Sequence, residues 1–280
     1  MAKVAFVKMQ GLGNDYVFVD GIANRLPADL PAASRRVADR HFGVGGDGLI
    51  AILPGESAPF RMRMFNADGS EGEMCGNGLR AFAKYVFESG YVRDEEFDVE
   101  TTAGIVRPRV IVEGGRVERV RVDMGAPRLD RRSIPMAGDP SGTCVDEAIR
   151  LGGADVHATC VSMGNPHCVI FVEDTRAAPV TTLGAAIERD PTFPGRANVS
   201  FVAVRNRREL EMRVWERGSG ETLACGTGAC AAAVAAAITG RADREVAVHL
   251  PGGTLGIEWS DRVFMTGPAV EVFRGEIDLE

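Results

Sequence analysis

Two segments of 21 residues in this chain are similar to each other, and the second begins 150 positions after the first. The first copy, RMFNADGSEGEMCGNGLRAFA, begins at Arg63, and the second, RVWERGSGETLACGTGACAAA, begins at Arg213. Both copies carry an arginine, an aromatic residue, a glutamate and the motif CGxG in the same register. This repeat predicts two similar halves, and its two cysteines indicate one active site to which both halves contribute.

The length of 280 residues agrees with this division, because a domain has roughly 100 to 200 residues. We predict an α+β fold with two pseudo-symmetric domains, each a mixed, mostly antiparallel sheet rolled around a central α-helix. The N-terminal domain is predicted to cover residues 1–119 with Cys75, and the C-terminal domain residues 120–269 with Cys225. We expect residues 270–280 to pack back onto the N-terminal domain, and the active site to lie at the interface of the two domains.

Short runs of β-branched and aromatic residues, separated by Gly, Pro and Asp, predict strands in both halves. A hairpin is predicted where two alternating runs, 106–112 and 116–122, flank Glu113, Gly114 and Gly115. The other predicted strands cover residues 4–9, 16–19, 49–53, 61–65, 97–101, 158–162, 167–171, 199–204, 211–216, 245–249, 254–259 and 262–266.

A helix is predicted after each CGxG motif. After the first, Leu79, Phe82 and Val86 recur three and four positions apart, and Gly90 supplies a C-terminal stop. After the second, residues 229–238 carry no charge on any face, and a helix that is apolar all round is normally buried. The remaining predicted helices cover residues 32–40 and 183–189.

Charge and sequence pattern argue against several classes of partner. The net charge is −7 and no run of Lys or Arg forms a basic stripe, so we expect no nucleic-acid partner. The N-terminal sequence lacks the pattern of a signal peptide, and no apolar run is long enough to span a bilayer, so we expect a cytoplasmic protein with no membrane partner. The six cysteines include no CxxC pair and are expected to be thiols. His41, His157 and His249 have no partner at metal-ligand spacing, so no metal site is expected.

A CGxG segment at the start of a helix presents unpaired backbone amides, and its glycines let an anion approach them. A substrate carboxylate fits such a position. The same helix end is expected to lower the pKa of its cysteine and so to favour the thiolate. A single cysteine beside glycines is more often a small buried hydrophobic residue than a catalyst, so the case for catalysis depends on the second copy.

Two such cysteines on opposite sides of one carbon could invert a stereocentre. Either Cys75 or Cys225 would remove the α-proton as a thiolate, while the other thiol delivers a proton to the opposite face. The two helix ends would share the substrate carboxylate and stabilise the charge that develops on it. Because the sequence contains neither a P-loop nor an obvious pyridoxal-binding signature, we expect no cofactor.

Four motifs stand in order along the chain: MxGxGND from Met9, FNADGSEGEMCGNG from Phe65, GNPHCV from Gly164 and ERGSGETLACGTG from Glu216. Together they resemble the diaminopimelate epimerase family, whose members are pyridoxal-independent amino-acid epimerases. The resemblance implies a small-molecule substrate, through the interconversion of LL- and meso-diaminopimelate in bacterial lysine and peptidoglycan precursor synthesis. It also implies two similar domains, each a sheet rolled around a helix, and a homodimer.

The resemblance assigns site residues as well. Cys75 and Cys225 match the family's two acid/base cysteines, and His167 matches a histidine that lines the site. The residues at substrate-binding positions are Asn14, Asn66, Gly76, Asn77, Asn165, Asn198, Glu216, Arg217, Gly226 and Thr227.

The chemistry of these residues suits the substrate. Arg217 can pair with the distal carboxylate in a fork, and Glu216 can accept a hydrogen bond from an ammonium group. Some members of the family have a glutamine where this chain has Gly48, so that contact needs another donor here.

Simpler interpretations and other functions stay open. Asn14 and Asn165 each follow a glycine and could be turn residues, and Glu216 with Arg217 could be a surface pair. The alternative functions are a proline-type racemase, for which a histidine would be expected in place of Asn77, a thiol redox protein that uses the two repeated cysteines, and a non-catalytic amino-acid-binding module.

Overall fold

The computed structural model describes residues 3–72 and 75–279, and the chain divides into two compact units. Unit 1 comprises Met1–Asp123 and Gly267–Glu280, and unit 2 comprises Met124–Thr266. Each unit combines β-strands with a small number of helices, so the predicted α+β fold class is confirmed.

Unit 1 contains ten strands and two helices among its described residues. The helices are α1 (Leu30–Ala38) and α2 (Gly76–Glu88). The strands are β1 (Lys3–Gly11), β2 (Asn14–Asp20), β3 (Gly48–Pro54), β4 (Phe60–Asn66), β5 (Glu71–Gly72), β6 (Val99–Thr101), β7 (Gly104–Val106), β8 (Arg109–Glu113), β9 (Arg116–Asp123) and β19 (Val270–Asp278).

The main sheet of unit 1 has the strand order β19-β1-β2-β3-β4-β6-β7, and β5 pairs with β4. The pairs β2–β3 and β4–β6 are parallel, and the others along this order are antiparallel. Strands β8 and β9 form the predicted hairpin around Gly114 and Gly115, both of which have positive φ.

Unit 2 contains nine strands, two α-helices and one π-helical turn. A π-helical turn (Val180–Gly184) leads into α3 (Ala185–Glu188), and α4 covers Gly226–Ile238. The strands are β10 (Glu147–Leu151), β11 (Ala154–Ser162), β12 (Pro166–Phe171), β13 (Asn198–Asn206), β14 (Glu209–Glu216), β15 (Gly220–Thr222), β16 (Glu245–Leu250), β17 (Gly253–Trp259) and β18 (Val263–Gly267).

The pairing pattern of unit 2 repeats that of unit 1. Strands β11, β12, β13, β14, β16 and β17 lie side by side, with the pairs β12–β13 and β14–β16 parallel and the pairs β11–β12, β13–β14 and β16–β17 antiparallel. Strands β1, β2, β3, β4, β6 and β7 have the same sequence of directions. Both units are therefore mixed, mostly antiparallel sheets of one topology.

Each sheet packs against the helix that follows its CGxG motif. Helix α2 contacts β1, β2, β8 and β9, and it buries Leu79, Phe82 and Val86 as their spacing predicts. Helix α4 contacts six strands of unit 2, and its residues from Gly228 to Ala236 are all buried. Small side chains let strands approach α4 on every side, so the predicted buried helix is confirmed.

A larger side chain on α4 is expected to destabilise the protein. Ala232 is fully buried, so Ala232→Leu must displace a surrounding strand, and we expect a loss of about 1–3 kcal/mol in unfolding free energy. Ala237, on the same helix but half-buried, gives the matched control Ala237→Leu, for which the change should be much smaller. Urea unfolding followed by circular dichroism measures both, and equal midpoints for the two variants would contradict this packing.

Some elements have no counterpart among the predicted ones. Strands β5, β7, β10, β15 and β19 were not predicted, and the helix predicted over 183–189 begins instead as a π-helical turn at Val180. Strand β19 pairs with β1 over almost its whole length. Within the described residues the longest helices have 13 residues, and no helix has both the length and the apolar character needed to cross a membrane.

Candidate active site

Cys75 occupies the N-cap of α2. Its backbone is extended, with φ −131° and ψ 116°, and its Sγ accepts a hydrogen bond from the amide of Gly78 at 3.4 Å. Residues 73 and 74, which precede it in the motif, lie outside the described residues. The sulfur therefore does for this helix what a Ser or Asp side chain does at an ordinary N-cap.

Cys225 occupies the N-cap of α4 with the same local geometry. Its φ is −123° and its ψ is 109°, and its Sγ accepts from the amide of Gly228 at 3.4 Å. The repeat in sequence is thus a repeat in structure, down to the sulfur-to-amide distance.

The last glycine of each CGxG motif lies close to its neighbours. A Cβ on Gly78 would lie 2.6 Å from the Cδ1 of Ile50, and one on Gly228 would lie 3.2 Å from the Sγ of Cys225. A side chain at either position would therefore require a neighbouring side chain to shift.

The expectation that the helix ends lower the pKa values of the two thiols is wrong for this structure. Burial raises the pKa of Cys75, and the amides of Gly78 and Asn77 with the side chains of Tyr16 and Arg80 only partly oppose it. The pKa of Cys225 is raised well above its ordinary value, first by burial and then by the charge of Glu216. Loss of hydration therefore outweighs the helix dipole at both cysteines.

Asn14 is the predicted site residue that contacts Cys75. The Sγ of Cys75 donates to its Oδ1 at 3.4 Å, while its Nδ2 donates to Asp47 at 2.7 Å. Asp47 also accepts from the amide of Asp15 and from Arg40. This network fixes which side of the Asn14 amide faces the thiol.

The other predicted residues of unit 1 have different surroundings. Gly76 and Asn77 are the first two residues of α2, and the Oδ1 of Asn77 is buried with no hydrogen-bond partner in the described part of the chain. Asn66 ends β4 and donates to Ser70 Oγ at 3.0 Å. Thus Asn77 lies beside the thiol, whereas the contact of Asn66 is within its own turn.

In unit 2 a chain of hydrogen bonds leads to Cys225. His167 Nε2 lies 2.9 Å from Asn165 Oδ1, Asn165 Nδ2 donates to Thr227 Oγ1 at 3.2 Å, and this hydroxyl lies 3.6 Å from the Sγ of Cys225. His167 is fully buried, and burial followed by the charge of Arg217 lowers its pKa to about 3. His167 is therefore neutral at physiological pH.

Three of the remaining predicted residues of unit 2, Asn198, Glu216 and Arg217, lie at the end of β14. Asn198 accepts from the amide of Arg217 at 2.8 Å, and the guanidinium of Arg217 donates to the carbonyl of Gly195 at 3.0 Å. Glu216 accepts a hydrogen bond from the hydroxyl of Thr222. Gly226 is the first residue of α4. The charge of Glu216 acts on Cys225, and the exposed Arg217 is the next residue along the chain.

Three residues with a part in this arrangement were missed by the sequence analysis. Tyr16 is buried, and Cys75 is among the groups that raise its pKa, while Asp47 orients Asn14. Glu188 is buried and accepts from Trp215 Nε1 at 2.9 Å and from the amide of Gly218 at 3.0 Å, which fixes the loop that carries Arg217. Tyr16 could have been predicted, because side chains alternate between the two faces of a strand and Tyr16 lies two positions after Asn14 on β2.

Gly48 has no room for a side chain. A Cβ built on it would collide with the carbonyl oxygen of Phe65, so a glutamine would require a different backbone here. The other four cysteines, Cys144, Cys160, Cys168 and Cys230, are buried and form no disulfide with another described residue. Among the residues that the structure describes, no group of three or more His, Cys, Asp or Glu side chains could hold a metal ion.

Comparison with known protein families identifies a match over most of the chain. The model of the family described as diaminopimelate epimerase matches residues 6–129 and 159–272. Proteins named diaminopimelate epimerase are similar over nearly the full chain: one from Moorella thermoacetica is 62% identical and covers 98% of this chain and 99% of its own length. Another, from Geobacillus kaustophilus, is 54% identical, with 98% and 97% covered.

Solved structures of other activities share the fold. A phenazine biosynthesis protein of the PhzF family from Bacillus anthracis has a TM-score of 0.70 and 18% identity, with 99% of both chains covered. A probable proline racemase from Agrobacterium radiobacter has a TM-score of 0.69 and 15% identity, with 99% of this chain and 93% of that one covered. At these identities the likeness shows the fold alone.

Proposed function

Since this chain belongs to the diaminopimelate epimerase family, we propose that it interconverts LL- and meso-diaminopimelate by proton transfer at the α-carbon, as a step of lysine and peptidoglycan precursor synthesis. The observation that carries the proposal is the pair of helix N-caps with matching geometry, each formed by a cysteine. A single reactive cysteine would not need a structural duplicate, whereas inversion needs one acid and one base on opposite faces of the carbon.

The proposed reaction uses the two thiols in complementary states. One cysteine, as a thiolate, takes the α-proton, and the other, as a thiol, delivers its proton to the opposite face of the same carbon. The electron pair of the broken C–H bond passes into the carboxylate, and the amides at Gly76, Asn77, Gly226 and Thr227 stabilise that charge. The reverse reaction exchanges the two roles.

The far end of the substrate is proposed to meet the residues around Arg217. Its contact with Gly195 uses one of the five N–H donors of its guanidinium, so a fork remains for a carboxylate. Glu216 can accept from an ammonium group, and the amides of Asn66 and Asn198 can serve either group. His167, which is buried and neutral, would line the site without carrying charge.

Deuterium exchange tests the function directly. The reduced protein is incubated with LL-diaminopimelate in deuterium oxide, and the α-proton signal and the appearance of the meso isomer are followed by NMR. Exchange together with inversion is the expected result. Absence of both with this substrate would refute the substrate, and exchange with proline instead would favour the racemase alternative.

The pH dependence follows from the raised thiol pKa values. At pH 7 both cysteines are mostly protonated, because both pKa values lie above the ordinary value of about 8.5. We therefore expect kcat/KM to rise about tenfold per pH unit above neutrality until the first thiol ionises, and to fall when the second loses the proton it must deliver. Steady-state rates from pH 6 to 10 measure this, and a maximum below pH 7 would contradict it.

The redox alternative gives no role to the residues that surround the two cysteines, such as Asn198 and Arg217, whereas the epimerase function uses them to hold the substrate. No observation in the structure favours a thiol reductase over an epimerase.

We further propose that the protein is a cytoplasmic homodimer, and one surface supports the dimer. Strand β19 lies at the end of the strand order in unit 1 and exposes Val270, Val272 and Phe273, whose exposed fractions are 45%, 54% and 46%. An exposed apolar strand at a sheet edge is a pairing surface. Sedimentation velocity is expected to show a dimer for the natural protein and a monomer for Val272→Glu, and a dimer in both would show that β19 is not the interface.

A further inference from the structure

We propose that Glu188 is a positioning residue for Arg217, and that it thereby sets the preference for a substrate with a distal carboxylate. The buried carboxylate of Glu188 holds the chain on both sides of the segment that carries Arg217. The inference rests on the proposed function for the identity of the substrate. Its structural content can be tested without any substrate.

Glu188 reaches this segment from the end of α3. It is the last residue of that helix, α3 packs against β14, and the Glu188 side chain is 3% exposed. Its Oε2 accepts from the indole Nε1 of Trp215 at 2.9 Å, and its Oε1 accepts from the amide of Gly218 at 3.0 Å. Trp215 directly precedes, and Gly218 directly follows, the segment 216–217. One carboxylate therefore fixes this segment from both ends.

The same carboxylate also holds the loop that contacts the guanidinium of Arg217. Arg196 Nη1 lies 3.6 Å from the Oε1 of Glu188, and the residue before it, Gly195, accepts from the guanidinium at 3.0 Å. Arg196 has a φ of 58°, a left-handed conformation that a residue with a side chain rarely adopts unless its surroundings hold it there. Glu188 thus orients Arg217 through its backbone and through the loop that its side chain contacts.

Glu188 is suited to support its neighbours rather than to bind the substrate. Burial would raise its pKa, but the hydrogen bonds from Trp215 and Gly218, together with the charges of Arg189 and Arg196, lower it. The group is therefore an anion at neutral pH, and both of its oxygens have a donor within the protein. A buried charge held in this way is rigid, because a shift of either partner would leave it without a hydrogen bond.

The first copy of the repeat has other residues at the corresponding positions. Phe65 stands where the second copy has Trp215, and Ala67 stands where it has Arg217. The ring of Phe65 has no N–H to donate, and the end of β4 is held instead by the hydroxyl of Ser34, which contacts two backbone carbonyls there. The indole donor and the arginine therefore occur together, in the copy that we propose to meet the distal carboxylate.

The test compares diaminopimelate with lysine, which lacks the distal carboxylate. Glu188→Gln keeps the size of the side chain, but its NH2 group would face one of the two donors. We expect kcat/KM for diaminopimelate to fall about 10-fold, chiefly through KM, and the α-proton exchange of lysine to change by less than about twofold. A general disturbance of the fold would slow both substrates alike, so equal losses on both would overturn the inference.

A double variant shows whether Glu188 acts through Arg217. In an Arg217→Leu background, Glu188→Gln has no guanidinium to position and should leave kcat/KM for diaminopimelate unchanged within about twofold. A further loss of about 10-fold in this background would mean that Glu188 acts elsewhere, against the inference. Glu211 on β14 gives the matched control, because it accepts from Thr175 and pairs with Arg205, and Glu211→Gln should keep the preference for diaminopimelate.

Trp215→Phe provides a milder variant in case Glu188→Gln does not fold. It removes one of the two hydrogen bonds to Glu188 and introduces the residue that the first copy of the repeat has at this position. The preference for diaminopimelate over lysine should fall in this variant too. An unchanged preference would contradict the role of Glu188.

Amide hydrogen exchange followed by mass spectrometry tests the structural content alone. The peptide that contains Gly218 should exchange its amides faster in Glu188→Gln than in the wild type, and at the wild-type rate in Glu211→Gln. Unchanged amide exchange in a protein that epimerises diaminopimelate would overturn the role of Glu188 alone. Faster amide exchange, in a protein whose wild type exchanges no substrate α-proton, would support the contacts of Glu188 and overturn the epimerase function.

Discussion

Cys75→Ala and Cys225→Ala are each expected to lower the rate of epimerisation by at least about 1000-fold, because each removes one of the two proton-transfer groups that we propose. The variants should differ from each other in a way that a loss of folding cannot imitate. Each keeps one cysteine, which can still remove the α-proton from the epimer that presents its hydrogen to that side and return a deuteron to the same face. We therefore expect exchange without inversion, in one epimer for Cys75→Ala and in the other for Cys225→Ala.

The measurement is NMR of LL- and meso-diaminopimelate in deuterium oxide, with each variant and each epimer. Cys230 provides the matched control, because it is a buried cysteine on α4, the helix that Cys225 caps. Cys230→Ala should invert the substrate at close to the wild-type rate. Inversion by either of the other two variants would rule out a two-base mechanism with these residues.

Much of the scaffold of this site could be predicted from the sequence. The repeat at a distance of 150 positions predicted two helices that start at cysteines, and the structure has both, with matching dihedral angles. The absence of charge after Cys225 predicted a buried helix, since only small apolar side chains allow strands to surround it. These are local patterns, and local patterns are what a single sequence shows best.

Features that depend on distant residues were harder to predict. Strand β19 has most of its side chains exposed or half-buried and therefore lacks a clean apolar alternation, and its partner β1 is at the other end of the chain. The sign of the thiol pKa shifts was predicted wrongly, because the helix end is visible in the motif CGxG whereas the burial of the sulfur is not.

The contacts of single side chains also could not be predicted from the sequence. Glu188 looks like a surface charge at the end of a short helix, yet Trp215 and Gly218 both donate to it in the interior of unit 2. From the sequence alone, Tyr16 is an aromatic residue of a strand, and the packing of α2 against β2 is not visible there. In both cases a long-range packing contact, rather than the residue's own neighbours in sequence, determines the surroundings of the side chain.

Replacement of Arg217 is expected to weaken recognition of the substrate far more than the chemistry. Arg217→Leu removes the fork proposed to hold the distal carboxylate, and loss of hydrogen bonds to a charged group should lower kcat/KM by roughly 10- to 150-fold, chiefly through KM. Arg217→Lys keeps the charge but not the planar fork, so its effect should be intermediate. The side chain is exposed, and its guanidinium donates one hydrogen bond within the described residues, to Gly195, so we expect little change in thermal stability.

Lysine provides a second measure of the same contact, because it equals diaminopimelate without the distal carboxylate. Wild-type protein should exchange the α-proton of lysine much more slowly than that of diaminopimelate. In Arg217→Leu the ratio of these two exchange rates should fall by the same factor as kcat/KM for diaminopimelate. Arg176→Leu is the matched control, since this exposed arginine of unit 2 pairs with Asp174. If Arg217→Leu kept both the KM and the preference over lysine, the distal carboxylate would have to be held by another residue, and the role that we propose for Arg217 would be wrong.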